Sequence, residues 1–236
     1  RPRSDAGSHS MKGNVASTLR AVLMPALVAM AGVAGCASTA RMPETPVAPP
    51  AAAEDSPADQ RTLGSAEAQV MIIEFTDLQC PYCARFARDT WPLLRERYVD
   101  TGKVRFATRD LPLPIHDFAL PAAVAARCAG QQGKFWEYRE ALFRDQSLLS
   151  QGRYAELAGE FGLDRTRFES CRADPAVLAA VRADAALAAS SGIASTPSFV
   201  IGRVVNGEFE GELMSGAKPF KVFQQRLDSL LQQSQE

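Results

Sequence analysis

Two cysteines separated by two residues, Cys80-Pro81-Tyr82-Cys83, are the residues of this chain whose types and spacing carry the most chemistry. Such a pair can close into a small disulfide ring and open again. At a helix N-terminus the first sulfur is favoured as a thiolate, because the free amides there point their positive ends at it. A thiolate so placed can exchange disulfides with other proteins. Zinc binding fits poorly: a zinc ion needs about four ligands, and from residue 61 onward the chain has one histidine, His116, and no second C-x-x-C.

A pair of this kind needs a strand that leads into it and a helix that follows. Residues 69–76, which include Val70-Met71-Ile72-Ile73-Glu74-Phe75, are a nearly continuous apolar run with β-branched side chains. That composition suits a buried central strand. After the pair, Cys83, Ala87, Trp91, Leu94 and Tyr98 recur three and four apart and make one helical face. Pro92 should kink this helix near Thr90 or Trp91, and Thr101-Gly102 stops it. Lys103 to Arg109 alternates and reads as a second strand.

Residues 115–191 read as helical almost throughout, with segments Ala122 to Ala129, Lys134 to Phe143, Tyr154 to Phe161, Arg165 to Cys171 and Ala176 to Ala189. Asp164 can cap the fourth of these and Pro175 can open the fifth. Strand character returns at Ser198 to Ile201 and at Val204 to Val205, before the turn signal Asn206-Gly207. Phe220, Phe223, Leu227 and Leu230 mark a closing helix. The order is strand, helix, strand, helical block, two strands, helix: an α/β core interrupted by a helical insertion.

The chain has 236 residues, with 26 Lys and Arg against 27 Asp and Glu. No basic patch or aromatic–basic interleaving points to nucleic acid. Residues 11–35 read as a secretory signal peptide: Lys12 and Arg20 are basic, and Ala21 to Val33 is apolar but too short to span a bilayer. The segment ends Val33-Ala34-Gly35-Cys36, which resembles the lipobox of bacterial lipoproteins. That resemblance implies a lipid on Cys36. An ordinary signal cut nearby, with Cys36 incidental, is the alternative. Ala37 stands where an aspartate would favour the inner membrane, so the outer membrane is the default anchor. Residues 1–10, with His9, read as an upstream extension. Residues 36–60 form a flexible tether rich in proline and alanine, with Pro43, Pro46, Pro49, Pro50 and Pro57. Residues 61–236 suit one domain. Its four cysteines, 80, 83, 128 and 171, read as disulfide formers given the implied export.

Three segments together carry a family resemblance: Ile73 to Cys83, the stretch Cys128-Ala129-Gly130-Gln131-Gln132-Gly133-Lys134-Phe135-Trp136, and Ser195-Thr196-Pro197-Ser198-Phe199. They resemble a DsbA-family thiol–disulfide oxidoreductase over essentially all of residues 61–236. The resemblance implies a thioredoxin fold with an inserted all-helical domain at about 113–191. It implies that Cys80 is the nucleophile and Cys83, one turn in, the more buried resolving thiol. Pro81 occupies the first helical position, where a missing N–H costs nothing. Tyr82 stands where family oxidases with histidine have an added stabiliser of the thiolate, which suggests a milder oxidant. Thr196-Pro197 resembles the cis-proline loop that packs beside the active disulfide. Glu74, six residues before Cys80, matches the family's buried acid, whose pKa should be raised and which could relay the Cys83 proton; a strand-end acid reaching solvent is the alternative.

Cys128 and Cys171 lie in separate expected helices. A bond between them would close a loop of about 44 residues, worth up to roughly 4 kcal/mol in the chain-entropy model. A structural disulfide is the favoured reading and a second redox pair the other. His116 reads as a hydrogen-bonded structural residue, and Phe135, Trp136 and Tyr138 as core. The expected function is a monomeric, lipid-anchored envelope oxidoreductase that oxidises cysteine-containing client proteins. It would need a quinone-linked membrane partner to reoxidise it, and no organic cofactor or metal. Two alternatives stay open: an isomerase or reductase using the same site, and a lipoprotein binding module or holdase whose cysteine pair is only structural.

Overall fold

The structure is a computed structural model that describes residues 60–150 and 152–233. The expected upstream extension, signal peptide, lipidation residue Cys36 and the tether up to residue 59 lie outside the described residues.

The apolar run becomes strand β2, with β1 the two-residue strand Thr62–Leu63 before it. β2 spans Val70–Thr76 and is buried at every position. Both of its faces are covered, which is why its sequence does not alternate. Strand β3, Val104–Asp110, runs parallel to it on one side, and β4, Ser198–Val205, antiparallel on the other. β1 pairs with β3, and β5, Glu208–Ser215, pairs with β4. The sheet order is β1-β3-β2-β4-β5.

Two expectations for the last strands change. Ser198 to Val205 is one strand, because Gly202 and Arg203 continue the ladder between the two predicted pieces. The second arm of the hairpin is β5, beyond the turn at Asn206 (φ 54°) and Gly207 (φ 87°). Its glutamates hid it: β5 is an edge strand with Glu208, Glu210 and Glu212 exposed and only Phe209 buried. Gly202 sits opposite Gly211, and a Cβ at Gly202 would lie 1.8 Å from the Glu210 oxygen. Only glycine fits that approach.

Helix α1, Pro81–Asp89, breaks at Thr90 (φ −118°) and resumes as α2, Trp91–Leu94, with Pro92 at its second position. A π-helical turn follows at Arg95–Val99. Between β3 and β4 the described residues are helical apart from connections: α3 Ala119–Gly130, α4 Phe135–Arg144, α5 Ser147–Ser150, α6 Tyr154–Glu160, α7 Arg165–Ala173 and α8 Pro175–Ser190. This is the inserted helical domain of a thioredoxin fold. The chain closes with α9, Phe220–Gln233. Asp164 caps α7 by accepting from Arg167 N (2.8 Å), and Asp174 caps α8 by accepting from Ala176 N (2.8 Å).

Alternation along β2 divides the core in two. Val70 and Ile72 pack with Phe86, Trp91, Phe106, Phe199, Phe223 and much of the helical insertion. Met71, Ile73 and Phe75 pack on the other face with Val200, Phe209, Ala188 and Ile193. The insertion is pinned to the sheet by a buried ion network. Arg127 of α3 bonds Asp110 at the end of β3 and Asp184 of α8, both at 2.6 Å, and Arg61 reaches Asp184 at 2.7 Å. Within the insertion, Cys128 and Cys171 form a disulfide that ties α3 to α7, with a Cα–Cα distance of 5.7 Å. Among the described residues, no helix is long and apolar enough to cross a membrane.

Candidate active site

Cys80 caps α1 from an extended backbone (φ −68°, ψ 123°), and Pro81 takes the first helical position. The sulfur therefore sits at the amino end of the helix, whose first-turn amides favour a negative charge, although its side chain makes no capping hydrogen bond. Cys80 and Cys83 are both free thiols here, and both are buried, Cys83 completely. Their environments separate them. The Cys80 thiol is lowered from 9.0 to about 5, first because the Cys83 thiol donates to it, against the opposing effect of burial, with the Thr196 side chain and then the amides of Cys83 and Tyr82 adding. Cys83 is pushed the other way, first by burial and then by its donation to Cys80. One sulfur is made a thiolate and the other is kept a thiol.

The Thr196–Pro197 peptide is cis, and the Thr196 oxygen lies 3.5 Å from Cys80 Sγ. Tyr82 is 56 % exposed beside the pair, with the Arg85 guanidinium 5.1 Å from its ring centre. A cation thus lies over the dipeptide's aromatic ring although the dipeptide itself has none.

Glu74 does not reach solvent. It is fully buried, and its Oε2 lies 2.5 Å from Nη2 of Arg139 in α4. Burial raises its pKa and the Arg139 charge opposes that rise. Its charge also acts on Cys83. The structure so gathers Cys80, Pro81, Cys83, Thr196, Pro197 and Glu74 around one sulfur pair. Cys128 and Cys171 make their own disulfide apart from it.

Asp77 escaped the sequence reading and organises the loop before Cys80. Its side chain is wholly buried. Oδ1 accepts from Gln79 N (2.7 Å) and Cys80 N (3.1 Å); Oδ2 accepts from Leu113 N (2.8 Å) and lies 2.8 Å from His116 Nδ1. Gln79 Oε1 accepts from Phe118 N (2.6 Å), and Gln146, between α4 and α5, donates to the oxygens of Leu78 (2.9 Å) and Cys80 (3.3 Å). The catalytic loop is thus held by the segment after β3 and by the insertion. An aspartate three residues before a helix cap is a turn-forming pattern visible in sequence; its bonds to Leu113 and His116 have no local signal. His116 is therefore tied into the scaffold. Phe135, Trp136 and Tyr138 are buried. Among the described residues, no three side chains converge as metal ligands.

A family model described as Thioredoxin matches residues 56–216. In sequence the chain is 35% identical over 156 residues to Na+/H+ antiporter NhaA 3 of Salinispora tropica, covering 65% of this chain and 23% of the antiporter. The chain thus spans about a quarter of the length of such relatives. It is 26% identical over 161 residues to a candidate protein-disulfide oxidoreductase of Rickettsia conorii, covering 66% of this chain and 57% of the relative. In structure it is similar to alpha-DsbA1 of Wolbachia pipientis, with a TM-score of 0.64 and 28% identity over 76% of this chain and 94% of that one. The match over most of the folded domain, with the same arrangement of sheet and inserted helices, places this chain in the thioredoxin family, in its DsbA-like branch.

Proposed function

We propose that the domain is a protein thiol–disulfide oxidoreductase that passes the Cys80–Cys83 disulfide to cysteine pairs of client proteins. The observation that carries this reading is the divided pair: Cys80 with a pKa of about 5, held by a Cys83 thiol that stays protonated. A client thiolate attacks Cys80 Sγ, the Cys80–Cys83 bond breaks, and Cys83 leaves and takes a proton. The client's second thiolate then attacks the client sulfur of the mixed disulfide and releases Cys80 as a thiolate. Two electrons have moved from client to enzyme. Stabilising that final thiolate favours the reduced enzyme and so makes the oxidised one a donor of disulfides. A Cys80 thiol held well below the free-cysteine value supports a disulfide donor, and Tyr82, which offers the thiolate no charge, supports a milder one.

The site of work would be the bacterial envelope. The signal-like residues 11–35 and Val33-Ala34-Gly35-Cys36 support export and a lipid on Cys36, with the outer membrane as the default anchor and residues 36–60 as tether. A monomer would suffice for the chemistry. Each turnover leaves the pair reduced, so a quinone-linked membrane protein would reoxidise it, with no metal or organic cofactor.

The test is the reduction potential of the pair in the purified chain, equilibrated in glutathione buffers and read by thiol trapping. A value near or above about −180 mV supports a disulfide donor. A value near or below about −250 mV overturns the oxidant and makes the protein a reductant. Loss of client oxidation in folded Cys80→Ser separates either enzyme from a binding module, whose function that variant would leave unchanged.

A further inference from the structure

Besides Gln146, which bonds the Cys80 carbonyl, the helical insertion sends the Arg139 side chain to the acid beneath the redox pair. On β2 Glu74 alternates with Val70 and Ile72, so it faces the half of the core built with α1 and the insertion. Its counter-charge comes from 65 residues further on. Arg139 of α4 is fully buried and bonds a single carboxylate oxygen, Nη2 to Oε2 at 2.5 Å. Among the described residues its Nε and Nη1 make no hydrogen bond, while the side chains of Thr76 and Thr108 act on the Glu74 carboxyl. The rings of Phe143 and Trp136 flank the guanidinium, with centres 4.7 and 5.4 Å from Cζ. The pair is fully buried, with rings on the cation and two threonine side chains at the anion, and buried charges act on one another more strongly than in water.

Cys80 and Cys83 belong to the same half of the core that Glu74 faces. Glu74 acts on Cys83, and Cys83 holds the Cys80 thiolate. Reduction therefore adds a negative charge to a site that already contains a buried carboxylate, and Arg139 is the positive charge bonded to that carboxylate. We propose that Arg139 is a positioning residue for the Cys80–Cys83 pair: by neutralising Glu74 it lets the reduced pair hold its negative charge, and so the insertion sets how strongly the pair oxidises. The inference rests on the Cys80–Cys83 pair being the redox site. It assigns the insertion a part in the chemistry besides covering the sheet.

The two partners make opposite predictions. Arg139→Met leaves a buried carboxylate facing the new thiolate, which disfavours the reduced form. Glu74→Gln leaves an unopposed cation, which favours it. A pair that served only packing would lose stability from either change and leave the redox equilibrium unmoved. The experiment equilibrates the full chain with glutathione at about pH 8 and measures the equilibrium constant for reduction, with a thermal melt as a control for folding. Arg139→Met should lower the constant by at least about threefold and Glu74→Gln should raise it by at least about threefold. Arg139→Lys and the double variant should stay within about twofold of wild type. Single variants that move the constant in the same direction, or not at all, overturn the proposal, as does a double variant that is not restored. If Arg139→Met does not fold, Glu74→Gln decides alone: a constant that falls or stays unchanged overturns it. A wild-type pair that exchanges no disulfide with glutathione would sink the oxidoreductase reading itself, and this inference with it.

Discussion

Cys80 Sγ lies 3.5 Å from the main-chain oxygen of Thr196, a residue 116 positions further along the chain. The approach follows from strand register. β2 and β4 are antiparallel neighbours with Phe75 opposite Ser198. The end of β2 that leads to Cys80 and the start of β4 that follows Pro197 therefore share one edge of the sheet. The Cys80 sulfur comes to rest beside the main chain that precedes the cis-proline.

Cys83 should be the main source of Cys80 acidity, since donation from its thiol is the largest cause of the lowered pKa. Alkylation of Cys80 in the reduced protein, followed against pH, should show a half-point near 5. Cys83→Ala should move that half-point upward by more than about one unit, because a hydrogen bond to the charged form is lost. An unmoved half-point would assign the acidity to the helix amides instead.

The reduced protein should gain stability over the oxidised one as pH rises. The Cys80 pKa is depressed in the folded state, from 9.0 to about 5, so its stabilising effect is complete above pH 9 and is lost as pH falls through 5. The disulfide form has neither thiol to titrate. The melting temperature of the reduced form minus that of the oxidised form should therefore rise steadily with pH between those limits. A difference that grew toward low pH would contradict a thiolate at Cys80.

Asp77→Ala should unfold the catalytic loop or cost the protein roughly 3 kcal/mol, because it strands several donors that this buried carboxylate satisfies. The donors are the amides of Gln79, Cys80 and Leu113, together with the His116 ring. Asp77→Asn keeps the shape and one acceptor, and should cost less. Urea unfolding of both variants, with Cys80 alkylation as the local readout, checks the order.

Replacing Cys128 and Cys171 together by Ala should lower stability by up to about 4 kcal/mol in the chain-entropy model, given a separation of 43 residues. Disulfide exchange at Cys80 should continue in the folded variant. Loss of exchange with folding intact would make the second pair part of the redox path.

The features legible in the sequence are those set by neighbours along the chain. The continuous apolar run marked β2 because a strand covered on both faces needs no polar alternation. The spacing of Cys83, Ala87, Trp91, Leu94 and Tyr98 marked the helical face, and Pro92 marked its break, since Thr90 is where α1 ends. Asp164 and Pro175 marked helix starts because caps act within one turn. The edge strand β5 was hidden, as its exposed face tolerates the glutamates that argue against a strand.

The sequence by itself determined the dithiol, its place at the head of a helix and the alternation of sheet and helix around it. Each of these depends on residues a few positions apart, where spacing translates directly into geometry. Only the tertiary structure decided that Glu74 is buried against Arg139, that Asp77 binds Leu113 and His116, and that Thr196 lies at Cys80. These partners are 36 to 116 residues apart, and no local preference encodes such pairs. They meet because the sheet register and the packing of the insertion bring them together, and the chemistry of the sulfur pair is tuned by those meetings.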